Sequence, residues 1–231
     1  MRKLWASAKM VKNPVFDERG NVLVYVLIAV ALFGALSFTL SRRAHNAGAN
    51  EIEDVRLDLY TTDLVNYSLQ ARSVIDQMMI TGTGLGDLDF TRPGESGFEV
   101  APHIHKVFHP HGGGLSAGHL PTDITLDRES EAAGWYFTSS INVEWTNSSA
   151  HDLILTAYQI NKALCERINK KITGHSDIPA LSGQVKDYFI DSEANRPLDI
   201  SACEDCEGYS SMCVSNNNRD SFGFYTVLVG Q

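Results

Sequence analysis

Five histidines lie close together in a Gly-rich part of the sequence, at His103, His105, His109, His111 and His119, with a glycine triplet after the fourth. Imidazoles two positions apart share one face of a β-strand, so the first two could chelate Zn²⁺, Cu²⁺ or Ni²⁺, with the third or fourth completing a site. A polar surface loop with a tight turn explains the same residues and is the favoured interpretation. The sequence therefore predicts no bound metal and no other cofactor.

Four cysteines form the second group with chemical potential, at Cys165, Cys203, Cys206 and Cys213. In an oxidising compartment they would pair, and four cysteines allow three connectivities. Cys203-x-x-Cys206 has the spacing of zinc ligands, but no second such pair is present, so disulfides are favoured over zinc. Because Cys203 and Cys206 would close the smallest ring, we expect Cys213 to bond to one of them and the other to reach Cys165.

Catalytic motifs are absent from the sequence. It contains no Gly-x-Ser-x-Gly turn, no His-Glu-x-x-His helix, no phosphate-binding loop and no dinucleotide fingerprint. The glycine triplet beside the histidines lacks the Lys-Ser/Thr that a phosphate-binding loop requires. We therefore expect a protein that is not an enzyme.

The elements that must position these residues are predicted from turn residues and from hydrophobic periodicity. Gly, Pro, Asp and His are frequent over 85–128, which predicts loops with two or three short strands. Apolar alternation predicts strands at 135–145 and 223–229, and a 3.6-residue period predicts a helix over 150–172. Together these elements indicate an α+β fold with a small antiparallel sheet.

A longer amphipathic helix is predicted over 51–80, with a glycine stop at Gly82. Its apolar residues recur at alternating steps of three and four, which places them on one stripe of the helix. The stripe consists of Leu57, Tyr60, Leu64, Tyr67, Ala71, Val74 and Met78. One face of this helix should pack against the rest of the protein, and the other face should be solvated.

Upstream, residues 22–40 contain no charged side chain over nineteen positions. A helix of this length extends about 28 Å, close to the hydrocarbon thickness of a bilayer. Lys and Arg are more numerous on the amino side of the segment than on its near carboxyl flank, which places the N-terminus in the cytoplasm and the remainder outside it. The sequence predicts a single membrane-spanning helix.

A leader of twenty residues with a net charge of +3 ends in Glu18-Arg19-Gly20, directly before the apolar run. This entry to the segment resembles a type IV prepilin N-terminus. The resemblance implies that a prepilin peptidase cuts between Gly20 and Asn21 and leaves the membrane helix in place. Pilins usually carry Glu five residues after the cut, where this chain has Tyr25. That difference favours a minor or tip subunit over a major one.

What the resemblance implies is a structural subunit of a type IV pilus or type II secretion-type filament. Its partners would be other pilin-like subunits, inner-membrane assembly machinery, the peptidase and membrane lipid. Before assembly it would sit in the inner membrane with its C-terminal domain in the periplasm. The implied organisation is a leader (1–20), a membrane and assembly helix (21–43), its amphipathic extension (44–84) and an extracytoplasmic head (85–231).

Two other interpretations remain open for the apolar segment. It fits an uncleaved signal anchor of an extracytoplasmic binding protein, with the histidines as a possible metal-binding loop. It also fits a removed secretory signal of a metal-binding domain, because Ala47-Gly48-Ala49 is a small-residue cleavage pattern. The apolar run, however, is longer than the core of most secretory signals, and two arginines separate it from that pattern.

Small residues indicate how the membrane helix associates. Ala31, Ala35 and Thr39 recur every four positions, with Gly34 beside them. Small side chains let helix backbones approach closely in lipid, where no hydrophobic force drives helices together. We expect helix packing along this face.

Net charge excludes one class of partner. The chain has a formal charge of -9, and removal of the leader would change it to -12. An acidic exterior disfavours nucleic acid as a partner.

Overall fold

A computed structural model describes residues 22–147, 149–190 and 196–230, without the side chains of 22 and 39–52. The chain divides into two compact units, Met1–Glu53 and Asp54–Gln231. We call the second unit the head. Helix α1 spans Val22–Ile80, so the part of it that belongs to the head begins at Asp54.

Within the head, helix α1 lies where the sequence predicts an amphipathic helix. Helix α1 ends at Ile80, directly before the predicted glycine stop, and Gly82 adopts a φ of 103°. Leu64, Ala71 and Met78 of the predicted stripe are buried. The other four stripe residues are partly buried and pack against the same core. The helix therefore presents one face to the rest of the head, as its 3.6-residue period indicates.

A four-stranded antiparallel sheet forms the centre of the head. Its strands are β1 (Gly134–Ile141), β2 (Asp152–Tyr158), β3 (Ser211–Ser215) and β4 (Phe222–Val229), in the spatial order β1-β2-β4-β3. Each neighbouring pair is antiparallel. The α+β class, the antiparallel sheet and the closing strand at 223–229 are thereby confirmed.

The helix predicted over 150–172 is wrong in its first half. That half is strand β2, and helix α2 begins only at Lys162 and runs to Thr173. All seven residues of β2 are buried, because the strand is central and both faces of the sheet are covered. A strand buried on both faces reads as a continuous apolar run, which periodicity alone does not separate from a buried helix.

The ends of α2 follow the rules for helix caps. The Asn161 side chain accepts a hydrogen bond from the Leu164 N–H at 2.9 Å, which satisfies one of the free donors of the first turn. Gly174 ends the helix in the left-handed conformation with a φ of 84°. Lys170 and Lys171 lie in the last turn, where their charges complement the helix dipole.

Two other predictions need correction. The strand predicted over 135–145 is shorter, since β1 ends at Ile141 and Val143 makes only an isolated bridge to Leu198. The described segment 85–128 contains no strand. It has two short 3₁₀ turns, Leu85–Asp87 and Thr122–Ile124, and isolated bridges. In this segment, backbone hydrogen bonds within turns take the place of the strand pairing that the sequence predicted.

The sheet separates two apolar cores. On one side, Leu153, Leu155 and Ala157 of β2 pack in a core that also contains residues of α1, of α2 and of the 85–128 segment. On the other side, Ile154 and Tyr158 pack in a core that includes the short helix α3 (Val185–Phe189). Successive residues of β2 therefore serve opposite cores, as the two-residue period of a strand requires.

Truncation of an α1 core residue tests how much the amphipathic helix contributes to the head. Leu64 is 3% exposed, whereas Leu59 is 57% exposed on the same helix. We expect Leu64→Ala to lower the free energy of unfolding by about 2–5 kcal/mol, because it removes buried methyl groups and leaves a cavity. Leu59→Ala should change it by less than about 0.5 kcal/mol. Urea denaturation of the two variants gives the comparison, and equal losses would contradict the assigned packing face.

Candidate functional site

The predicted histidines meet in a turn-rich segment, 97–115, which we call the histidine loop. The rings of His103 and His109 are stacked, with centroids 4.1 Å apart and planes inclined by 7°. The His111 ring lies 5.4 Å from that of His109 and 6.4 Å from that of His103. The loop therefore brings together three of the five predicted imidazoles.

Hydrogen bonds define the protonation state that this arrangement needs. The backbone N–H of His111 donates to Nδ1 of His109 at 3.1 Å, so that nitrogen carries no proton. The Nε2 of His109 lies 3.8 Å from a carboxylate oxygen of Glu99. His109 is buried, at 5% exposure, and its ring also contacts Phe98 at 5.0 Å between centroids.

His103 is the second partner of the stack. Its Nδ1 is buried and has no hydrogen-bond partner among the described residues. Burial, followed by the nearby His109 and Lys106, lowers the pKa of His103 below its ordinary value, and Glu99 opposes this shift. The stack therefore favours the neutral form of His103.

The pairing of His103 with His105 on one strand face is not observed. The segment forms turns, and Nδ1 of His105 instead lies 3.3 Å from the hydroxyl of Thr83, just after α1. His119 is exposed and makes no ring contact with the stack. In the described part of the chain, no group of three or more His, Cys, Asp or Glu side chains is arranged to hold a metal ion.

Lys106 organises the loop, and sequence reasoning missed it. Its side chain is only 4% exposed, and its ammonium donates to the carbonyl oxygens of Gly97, Phe98 and Val100. Three donors meet three acceptors, so the buried charge is hydrogen-bonded. Within a polar stretch of sequence, nothing distinguishes a buried lysine such as Lys106 from a solvent-exposed lysine.

The glycine triplet makes the loop compact. A Cβ on Gly112 would clash with backbone carbonyl oxygens of Lys106 and His103, and one on Gly113 would lie 2.7 Å from both Met78 and Val74 of α1. The N–H of Gly113 donates to the Lys106 carbonyl at 2.9 Å. The triplet thus permits close backbone approach, which is a structural role.

A cleft of about 300 Å³ separates the end of α1 from the loop. Apolar side chains of Val74, Met78 and Ile104 line it, together with the imidazoles of His105 and His111. Near the C-terminal end of the loop, the Tyr67 hydroxyl accepts a hydrogen bond from the Gly118 N–H at 2.9 Å and donates one to the Ser116 carbonyl at 3.1 Å. Burial raises the pKa of Tyr67.

The predicted disulfide pairing is wrong. Cys165 is bonded to Cys213, and Cys203 is bonded to Cys206. All four cysteines pair, as expected, but the short ring forms because the 3₁₀ turn Glu204–Cys206 brings the two Cα atoms to 5.3 Å. The prediction relied on ring size. Ring size determines how much a disulfide stabilises the folded protein, but it does not decide whether the geometry permits the bond.

Asn169 explains why Cys165 meets Cys213. Its side-chain amide donates to the Cys213 carbonyl and accepts from the Cys213 N–H, both at 2.8 Å. β3 is an edge strand, so the outward backbone groups of Cys213 have no neighbouring strand to pair with. Asn169 takes the place of that strand and holds α2 against β3, which aligns the two cysteines.

A further polar network lies at the end of β2. Gln159 is buried with a φ of 56°, and its Oε1 accepts from the N–H groups of Arg128 and Glu129 at 2.7 and 3.2 Å. The neighbouring Tyr158 hydroxyl donates to Glu129, and burial, followed by this carboxylate, raises the pKa of Tyr158. These contacts tie the 128–131 segment to the sheet.

The predicted processing residues Gly20 and Asn21 lie outside the described residues, as does the side chain of Thr39. Ala31, Gly34 and Ala35 lie on α1 in the first unit, where every described side chain from 23 to 38 is exposed. Of the helices described, none meets the length and apolarity needed to cross a bilayer. The membrane-spanning segment therefore stays a prediction.

Comparison with protein-family models, with curated proteins and with solved structures finds no match for this chain.

Removal of each disulfide tests the observed pairing. The Cys165–Cys213 bond spans 48 residues and the Cys203–Cys206 bond spans three. From ring size, loss of the first should lower the free energy of unfolding by roughly 4 kcal/mol and loss of the second by roughly 2 kcal/mol. Urea denaturation of Cys165→Ala/Cys213→Ala and Cys203→Ala/Cys206→Ala measures both, with each pair serving as the other's control.

The pairing itself is read by peptide mapping without reduction. A cross-linked peptide containing residues 165 and 213 is expected, together with no titratable thiol and no stoichiometric zinc in the full chain. A peptide that joins residue 213 to 203 or 206 would contradict the structure and restore the pairing predicted from ring size.

Proposed function

We propose that the chain is a pilin-like structural subunit, a minor or tip component of a type IV pilus or type II secretion-type filament. The observation that supports this function best is helix α1. Its described residues 23–38 carry exposed apolar side chains, and its portion from Asp54 packs one face into an α+β head. Pilins have this plan, in which the anchor half of the first helix continues into an amphipathic half that supports the head.

The exposed apolar residues of α1 need an apolar environment. Leu23 is 72% exposed and Phe33 is 76% exposed, within a stretch that has no charged side chain. Contiguous apolar surface of this kind marks contact with lipid or with other proteins. A subunit that waits in the membrane and then joins a helical bundle would bury these side chains in both states.

The head suits an extracytoplasmic location. Its two disulfides persist in an oxidising compartment, and one of them ties β3 to α2 in the C-terminal half of the chain. An acidic net charge keeps the exported part soluble. In this proposal the inner membrane holds the N-terminal helix and the periplasm contains the head before assembly.

Tyr25 favours a minor or tip position. In pilins, the Glu usually found five residues after the cut is thought to pair with the N-terminal amine of a neighbouring subunit. Tyr25, which is 64% exposed, has a phenolic hydroxyl in place of that carboxylate. Association of this helix would then depend on close packing of small residues, and the subunit would act without catalysis.

The N-terminus of the mature protein tests the proposal most directly. We expect intact-mass measurement of membrane-extracted protein to give a chain that begins at Asn21, because Gly20 closes the charged leader against the apolar run. In pilins the new amine is commonly methylated, which would add one methyl group to the mass. A chain that begins at Met1 would favour a signal anchor, and one that begins at Asn50 would favour secretion.

A pair of Ala→Leu variants tests the packing face. Ala35 lies on the small-residue side of α1, and Ala29 lies on a different side at 3.6 residues per turn. Ala35→Leu should reduce cross-linking to neighbouring subunits by separating the helix backbones, while Ala29→Leu should leave it unchanged. Extraction with alkaline carbonate checks that both variants are inserted. Equal cross-linking yields would exclude this face.

A further inference from the structure

We propose that the histidine loop is a pH-sensitive switch, closed over the end of α1 while His103 and His109 are neutral and open when both take up protons. This inference concerns the head alone and goes beyond the assembly function. It depends on how two stacked imidazoles, a third imidazole and a buried ammonium are arranged.

The hydrogen bond at His109 requires the neutral ring. Nδ1 accepts the backbone N–H of His111 at 3.1 Å. A proton on Nδ1 would turn this acceptor into a donor, so the two N–H groups would face each other and the bond would be lost. The carboxylate of Glu99, 3.8 Å from Nε2, offers little compensation because its side chain is 84% exposed.

The stack itself opposes a second charge. His103 lies with its ring parallel to that of His109 at a centroid distance of 4.1 Å. If both rings were protonated, two cations would be in face-to-face contact in a partly buried site. Like charges at such a distance disfavour the charged forms of both groups.

The other groups around the stack include one fixed positive charge, two carboxylates and two further imidazoles. Lys106 is buried in the same loop with its ammonium held by three carbonyl oxygens, and His111 lies 5.4 Å from His109. His105 lies on the cleft side, next to Thr83. The negative groups are Glu99 and, across the bridge to Lys106, Asp89.

The element packed against the loop brings no compensating charge at the contact. The residues of α1 that line the cleft are Val74, Gln77 and Met78, which are uncharged. The Phe98 ring, 5.0 Å from His109, is apolar. The nearest negative charge to compensate protons taken up by the stack would therefore be one exposed carboxylate, that of Glu99.

The direction of the pH dependence follows from His103. Its pKa in the closed loop is lower than the ordinary value of 6.5. The open loop then binds more protons than the closed loop at acidic pH, so protonation favours opening. The closed state is stabilised above about pH 6.5 and loses that stabilisation as the pH falls below this value.

Opening would be local to one part of the head. The loop closes through backbone bonds from Gly113 N–H to the Lys106 carbonyl and from Leu115 N–H to the Val107 carbonyl, at 2.9 and 3.0 Å. Both disulfides lie elsewhere, at the sheet edge and in the 203–206 turn, and remain intact. Release of the loop would expose Met78 and Val74 at the end of α1.

Hydrogen exchange of the full chain at pH 7.5 and pH 5.0 tests the switch. Protection factors, corrected for the intrinsic exchange rate at each pH, are compared for peptides that cover 103–115 and for peptides from β4. We expect protection of 103–115 to fall several-fold at pH 5.0 while protection of β4 stays constant, because the pKa of His103 is lowered in the closed loop.

Two variants separate protonation of the stack from other effects of acid. His109→Asn retains an acceptor for the His111 N–H without a titratable ring, and His103→Phe retains an aromatic ring without a charge. The double variant should lose less than about a third as much protection at pH 5.0 as the wild type. His175→Gln, which removes an exposed histidine elsewhere, should behave as the wild type.

Three results would overturn the proposal. Equal protection of 103–115 at both pH values in the wild type would show that protons do not open the loop. An equal loss in β4 would show global acid unfolding in place of a local switch. A loss in the double variant as large as in the wild type would assign the effect to other groups, and His103→Phe alone provides the same comparison if the double variant is unstable.

Discussion

Burial of β2 on both faces is the constraint on which the rest of the head depends. A four-stranded sheet whose central strand has seven buried residues needs a layer on each side. The α1 stripe and α2 cover one face, and α3 with its adjoining loops covers the other. The α1 stripe is therefore part of the core, and the amphipathic half of the helix is an integral part of the head.

Sequence reasoning succeeded where periodicity was long and one-sided. From Asp54 to Ile80 the helix lies where its one-sided apolar stripe predicted it. The closing strand was predicted correctly although it is buried on both faces. The prediction failed for β2, whose Leu, Ile, Ala and Tyr residues serve two cores in turn. It also failed for 85–128, where turns bury Val107 and Phe108 without a regular element.

Buried polar groups account for most of what sequence did not reveal about the candidate site. Lys106 donates hydrogen bonds to backbone carbonyls of its own loop. Asn169 and Gln159 form hydrogen bonds with backbone groups that are distant in sequence. Their types are ordinary for a surface, and only the tertiary arrangement shows that they replace missing strand or turn partners. The disulfide connectivity depends on one of them, because Asn169 sets the alignment of α2 with β3.

The two disulfides are distributed unevenly, so different regions of the head differ in local stability. The Cys165–Cys213 bond joins α2 to an edge strand, so that edge of the sheet is restrained covalently. The loop relies on hydrogen bonds to Lys106 and on neutral imidazoles, which respond to solvent pH. Regions with fewer covalent and apolar restraints open at lower free energy than the core they cover. Neither disulfide cross-links the loop, so opening there breaks no covalent bond, although it uncovers Val74 and Met78 of the helix stripe.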